Sequence, residues 1–237
     1  MTLLALVGCM GGPNLATRIG ELRVVAAKAD PPGVGLGEPF DLVVWVADPL
    51  DRGSDVLSWS CVEDIPCAPI RSEVPDLVEG TTPPLTQPRL AAPAPIWVLA
   101  CSDGDCGDLD DPPEARLRDP FGWLQDLPLA GVSAASRLPP IAEDPTVPLT
   151  NPLVTAAPKT VLDRDALQVD LTFTVLEATS AFGYATTGGF DAPLYEPDAA
   201  GNVTLTWFPD PEQEAGEVFV VFTNLLGGSE VWQAPVP

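Results

Sequence analysis

The chain has 237 residues, suited to one or two domains, and 46% hydrophobic residues are enough to build a core despite 29 prolines. Against 34 acidic residues stand 11 basic ones, a formal charge of −23, which repels phosphate backbones and argues against nucleic-acid binding. Histidine is absent, so Ser-His-Asp triads, Cys-His pairs and His-bound zinc are excluded.

Catalytic motifs are equally scarce. Lys28 and Lys159 are the two lysines, and no G-x-S-x-G elbow, Walker loop or G-x-G-x-x-G turn occurs. Acid chemistry between paired carboxylates stays open, but 34 acids make any chosen pair unspecific. The expectation is a protein that is not an enzyme. No apolar stretch reaches the roughly 20 residues of a bilayer-spanning helix.

In chain order, the first informative element is Leu6-Val7-Gly8-Cys9, which resembles the lipobox of bacterial lipoproteins. The resemblance implies cleavage before Cys9, acylation of its thiol and new amino group, and a mature protein held to a membrane by lipid. Met10 after the cysteine, rather than Asp, agrees with outer-membrane sorting as known for enteric lipoproteins. No Lys or Arg precedes Cys9, and Leu3 to Val7 is shorter than the roughly 7 to 15 apolar residues of an export signal. The true start is therefore expected upstream, with Met1 inside the signal peptide, and residues 1–20 are expected to be lipobox and tether. Setting Cys9 aside leaves Cys61, Cys67, Cys101 and Cys106, an even number that fits two disulfides in an oxidising compartment. Three pairings are open. Cys61 with Cys67 and Cys101 with Cys106 are preferred because each closes a small polar loop, and zinc sites usually show tighter C-x-x-C spacing.

Arg23 to Asp48 aligns without gaps, at an offset of 129 residues, with Pro152 to Glu177. Few identities result, but Val25 lies over Val154, Asp41 over Asp170, Leu42 over Leu171 and Val46 over Val175. Each copy reads as a short strand, a turn-rich link and a long strand. In the second copy Leu167, Val169, Leu171, Phe173 and Val175 alternate with polar residues, the period of two of a half-buried antiparallel strand. Short strands are then expected at 181–185, 203–208, 217–224 and 229–233, the last two joined through Gly227-Gly228. Val218, Val220 and Phe222 alternate with Phe219 and Val221, so this strand is expected to be central. Val56 to Val62 places Leu57, Trp59 and Cys61 on one face. Residues 62–158 hold 18 of the 29 prolines and should be mostly loop, with a strand at Ile96 to Cys101 and a short helical or capping piece around Phe121, Trp123 and Leu124.

Leu22 to Lys28, Pro31-Pro32, Gly37-Glu38 before the long strand, and Trp59-x-Cys61 together resemble the immunoglobulin-like domains of myxobacterial and related high-GC bacterial lipoproteins. The resemblance implies an envelope location and carries no catalytic residues. The expected fold is all-β, two Ig-like antiparallel β-sandwiches with a long Pro-rich loop region in the first: residues 21–149, including the cysteine-containing elaboration, and residues 150–237.

Among candidate sites, Asp103, Asp105, Asp108, Asp110 and Asp111 crowd one loop. Calcium takes six to eight oxygens, which alternating Asp and Gly can supply, although the twelfth-position Glu of an EF-hand is missing. Ca2+ is thus the one cofactor the sequence puts forward. Trp207, Trp232 and Tyr184 could form a binding face in the second domain, though alternating Trp is more often core. The functional expectation is a lipid-anchored envelope protein acting as a non-catalytic binding or structural module. Its rivals are a calcium-stabilised adhesin or glycan-binding protein and an acidic carboxylate-pair hydrolase. The partners expected are the membrane, through lipid, and an envelope protein or glycan.

Overall fold

The computed structural model describes residues 14–50, 54–61, 66–67, 69–74, 85–87, 94–102, 112–127, 131–137, 149–158, 161–213 and 215–237. In the first half the strands are β1 (Arg23–Asp30), β2 (Phe40–Ala47), β3 (Ser54–Trp59), β4 (Ile70–Val74), β5 (Leu85–Gln87), β6 (Ile96–Ser102) and β7 (Val132–Arg137). Two short helices, α1 (Glu114–Arg118) and α2 (Pro120–Asp126), lie between β6 and β7. The second half holds β8 (Leu153–Ala156), β9 (Val169–Leu176), β10 (Ser180–Ala185), β11 (Gly189–Phe190), β12 (Asn202–Phe208), β13 (Gly216–Thr223) and β14 (Ser229–Val236). All strand pairings are antiparallel.

The second half forms two sheets ordered β11-β12-β9-β8 and β10-β13-β14. Lettered A to G in chain order, that is the ABED and CFG arrangement of an immunoglobulin constant-type sandwich. The first half forms β1-β2-β5 against β4-β3-β6-β7, the same plan with its fourth strand moved to the other sheet. Both halves are immunoglobulin-like sandwiches.

The internal repeat is real in register as well as in pattern. At the offset of 129, β2 coincides with β9 end to end. Each is paired with a preceding strand that carries a β-bulge, opposite Val46 and Trp45 in one copy and opposite the matching Val175 and Thr174 in the other.

Alternation along the strands sorts the apolar residues into layers. Leu42, Val44 and Val46 of β2 face Val56 of β3 and Ile96 and Val98 of β6 inside the first sandwich. Leu171 and Phe173 of β9, Leu205 and Trp207 of β12, and Val218, Val220 and Phe222 of β13 fill the second. The outward faces of β2 and β13 are apolar too, and they meet: Trp45, Ala47, Val25 and Ala26 pack with Phe219, Val221, Phe182 and Tyr184. The bulge in β1 places Val25 and Ala26 together on this side. The sandwiches therefore stack face to face, and this is why β13 has two apolar faces in sequence. Around the seam the Lys28 ammonium meets Glu230 at 2.6 Å, Ser229 Oγ donates to the Ala27 carbonyl, and Asn151 Nδ2 donates to the Ala29 carbonyl. Arg23 lies 4.3 Å over the Tyr184 ring.

The N-terminal residues join the second sandwich rather than the first. Asn14 N–H donates to the Phe190 carbonyl at 2.6 Å, and a short 3-10 turn, Leu15–Thr17, follows. The Phe190 N–H donates to Thr17 Oγ1 at 2.8 Å, Arg18 bridges to Ala185, and Ile19 is buried in the seam.

The face shared by Leu57, Trp59 and Cys61 points outward, beneath the helices, and not between the sheets. Two expectations are corrected. Leu167 precedes β9 and is 96% exposed instead of continuing its buried face. The Pro-rich region carries β4, β5 and β7 besides the strand read at Ile96; its prolines fall between these strands, where no ladder donor is needed.

Candidate functional site

The outer face of the β4-β3-β6-β7 sheet carries an aromatic cluster roofed by the two helices. Leu57 and Trp59 of β3, Leu99 and Cys101 of β6, and Leu117 and Trp123 of the helices form one apolar cluster. Helix α2 starts where it does because the Asp119 carboxylate accepts the Gly122 N–H at 3.0 Å and Pro120 occupies its first turn. A Cβ on Gly122 would run into the Asp119 carboxylate where it now sits, so any side chain there would have to displace the cap. Trp59 stacks on Trp97 with ring centroids 6.4 Å apart and tilts against Trp123 at 5.8 Å. Its Nε1 donates to the Leu117 carbonyl at 2.9 Å, tying the helices to the sheet. Phe121, 67% exposed, stands edge-on to Trp97 at 5.0 Å. The Arg116 guanidinium sits 5.9 Å from the Trp123 ring, and Trp123 Nε1 is buried without a hydrogen-bond partner among the described residues. Trp59 and Trp123 are buried beneath the helices, so what this face offers a partner is the Phe121 ring, the half-buried Trp97 beside it and the Arg116 cation, which suit apolar or stacking contact.

The sulfur chemistry sits beside it. Cys61 and Cys67 are joined by a disulfide, and Cys101, buried under the helices, is disulfide-bonded as well. Cys9, Cys106 and the carboxylates of Asp103, Asp105, Asp108, Asp110 and Asp111 lie outside the described residues. Among the described residues no three His, Cys, Asp or Glu side chains group as metal ligands.

Trp207 and Trp232 are core: Trp207 Nε1 donates to the Thr187 carbonyl at 3.1 Å, and Trp232 packs edge-on to Phe173 at 5.1 Å. Tyr184 lies in the seam between the sandwiches. The exposed aromatic surface is thus in the first sandwich. Its signal in the sequence was Asp119-Pro120 opening an aromatic-rich turn.

A cleft of about 760 Å³ at one end of the seam is lined by Arg18, Asp48, Thr187, Glu217 and Pro235 among others. Each of its carboxylates has a partner within the fold. Asp48 Oδ1 accepts the Leu50 N–H at 3.1 Å, and Glu217 Oε1 accepts from Gln233 Nε2 at 2.6 Å. Burial raises the Glu217 carboxyl above the ordinary carboxylate value, while the bond from Gln233 pulls it down. The native state thus holds this proton to higher pH than the unfolded chain does. The group's contribution favours folding below the ordinary carboxylate range and is lost as pH rises through its native value. Glu217→Gln is expected to flatten that fall in denaturation midpoints measured across the acid range, and coincident profiles for the two proteins would contradict it.

No protein-family model matches the chain, and no curated protein matches it. Among solved structures it is similar to the D0-D1 domain of intimin, at 11% identity over 90% of this chain and 98% of that one, with a TM-score of 0.29. A marsupial T cell receptor follows at 10% identity, 91% and 73% coverage and a TM-score of 0.28. Sidekick-1 immunoglobulin domains 1-4 match at 12% identity, 91% and 48% coverage and a TM-score of 0.25. Likenesses this distant carry no argument, and the immunoglobulin-like assignment rests on the strand order.

Proposed function

We propose that the chain is a non-catalytic binding or structural module of a bacterial cell envelope, held to the outer membrane by lipid on Cys9. Its partner, an envelope protein or glycan, is met at the aromatic surface around Phe121 and Trp97. The observation that carries the binding role is Phe121: among the described residues it is the large aromatic left exposed, and it is propped on Trp97 by the capped turn of α2. An aromatic that serves as a hot spot of an interface costs about 2 kcal/mol or more of binding when truncated. The disulfide Cys61–Cys67 and the bonded Cys101 support an oxidising compartment.

Expressed in a bacterium behind an export signal, the protein should incorporate labelled palmitate and fractionate with membranes. Cys9→Ser should abolish both, and an unlabelled native chain would overturn the anchor. Against a panel of envelope glycans and purified envelope proteins, Phe121→Ala should weaken binding about tenfold or more without moving the melting temperature. A bound partner indifferent to Phe121→Ala would remove this surface from the account.

A further inference from the structure

The point where the chain joins the fold fixes which end of the molecule faces the membrane, if Cys9 carries the lipid proposed above. Asn14 is pinned to the edge of the second sandwich by its N–H bond to the Phe190 carbonyl, and Thr17 and Arg18 continue the attachment through Phe190 and Ala185. Between Cys9 and Asn14 lie five residue steps, which span at most about 18 Å when fully extended. An acylated Cys9 sits at the bilayer surface, so Asn14 cannot leave that distance.

The end of the sandwich carrying Asn14 is also where an apolar surface is left uncovered. Leu167, 96% exposed, borders a hollow of about 270 Å³ together with Asn14, Gly188, Phe208, Pro209 and Pro211. Phe208 and Pro209 are half-buried and Pro211 is exposed. Leu225, 85% exposed, stands in the β13–β14 turn at the opposite end of the strands, one eight-residue strand or about 27 Å away. The acids around the hollow choose the lipid. Asp210 lines it, held by Arg18 at 3.7 Å, and Glu212 is exposed beside it, so an anionic lipid surface is repelled while a zwitterionic one is not.

We propose that the surface formed by Leu167, Phe208, Pro209 and Pro211 rests on zwitterionic lipid head groups, setting the second sandwich end-on to the membrane with the β13–β14 turn pointing away. This rests on lipid attachment at Cys9 and adds to it an orientation. It also keeps Phe121 accessible, because the helices cover the layer of the stack farthest from the sheet that holds β12.

The test uses the natively acylated full chain in phosphatidylcholine nanodiscs doped with a gadolinium-chelating lipid, with leucine methyl groups read by NMR. The Leu167 methyls should lose most of their intensity while those of Leu225 and Leu226 keep theirs. Leu167→Asp, at a position exposed enough to leave the fold intact, should leave the chain bound to the discs while relieving the attenuation of the Phe208 ring signals. A chain without acyl groups overturns the anchor, and this surface with it. An acylated chain that binds the discs yet shows equal attenuation at Leu167 and Leu225, or the greater loss at Leu225, overturns the surface alone.

Discussion

Phe219→Ala is expected to lower the stability of the intact protein by about 3 to 5 kcal/mol, the cost of truncating a buried Phe in a core. In an isolated immunoglobulin-like sandwich this residue would stand on the solvent face of β13, where substitutions usually fall within about 0.5 kcal/mol. Here its exposure is 0%, against Trp45 and Ala47 of the first sandwich. Phe222, on the other face of the same strand, packs edge-on to Phe173 at 5.1 Å inside the second sandwich. Guanidinium denaturation should therefore give Phe219→Ala and Phe222→Ala losses of similar size. A Phe219→Ala protein as stable as the parent would mean that the faces are not in contact.

The second expectation concerns residues 150–237 alone. They contain all seven strands of their sandwich, which is why the repeat in the sequence points to a domain able to fold by itself. The structure adds what such a fragment lacks. It would expose Phe219, Val221, Phe182 and Val231, now packed on the first sandwich, and lose the Ile19 side chain buried in that seam. A fully buried large apolar side chain left in water forfeits about 1.5 to 3 kcal/mol and the half-buried Phe182 and Val231 less, so the sum reaches the lower part of the roughly 5 to 15 kcal/mol that holds a typical domain together. Phe190 would also lose its bonds to Asn14 and Thr17. The fragment is expected to melt at least about 10 °C below the intact chain, since 1 kcal/mol moves a domain of this size by roughly 4 to 8 °C. It should also self-associate through the bared face, and Phe219→Thr with Val221→Thr should restore a monomer in analytical ultracentrifugation. A monomeric fragment with the melting temperature of the whole protein would contradict this.

Legibility in the sequence followed the strength of the local pattern. The long strands were readable because β2 and β9 share a register of apolar positions at a fixed offset, and because β13 is apolar on both faces, a property that only a doubly covered strand can sustain. What covered its second face was not readable, since Phe219 and Trp45 stand 174 positions apart and neither carries a mark of the other. The strands β4, β5 and β7 were lost to the prolines between them and to the small side chains of Val132 to Arg137. Trp59 and Cys61 showed their shared face but not its direction, because the period of two says which residues lie together and not which side is inside. The aromatic cluster was half legible: Phe121, Trp123 and Leu124 marked a short helical or capping piece, whereas the exposure of Phe121 depends on how α2 sits on Trp97. The docking of Asn14 to Thr17 on the second sandwich had no local signature, since it depends on a strand edge 173 positions downstream of Thr17.

The stacked arrangement makes the two sandwiches one cooperative unit, and calorimetry of the Cys9→Ser chain reads this directly. With about 0.7 kcal/mol of unfolding enthalpy per residue, one endotherm on the order of 160 kcal/mol is expected, its van't Hoff enthalpy equal to the calorimetric value. Two resolved endotherms, or a van't Hoff enthalpy near half the calorimetric one, would show two sandwiches that unfold independently and would contradict it.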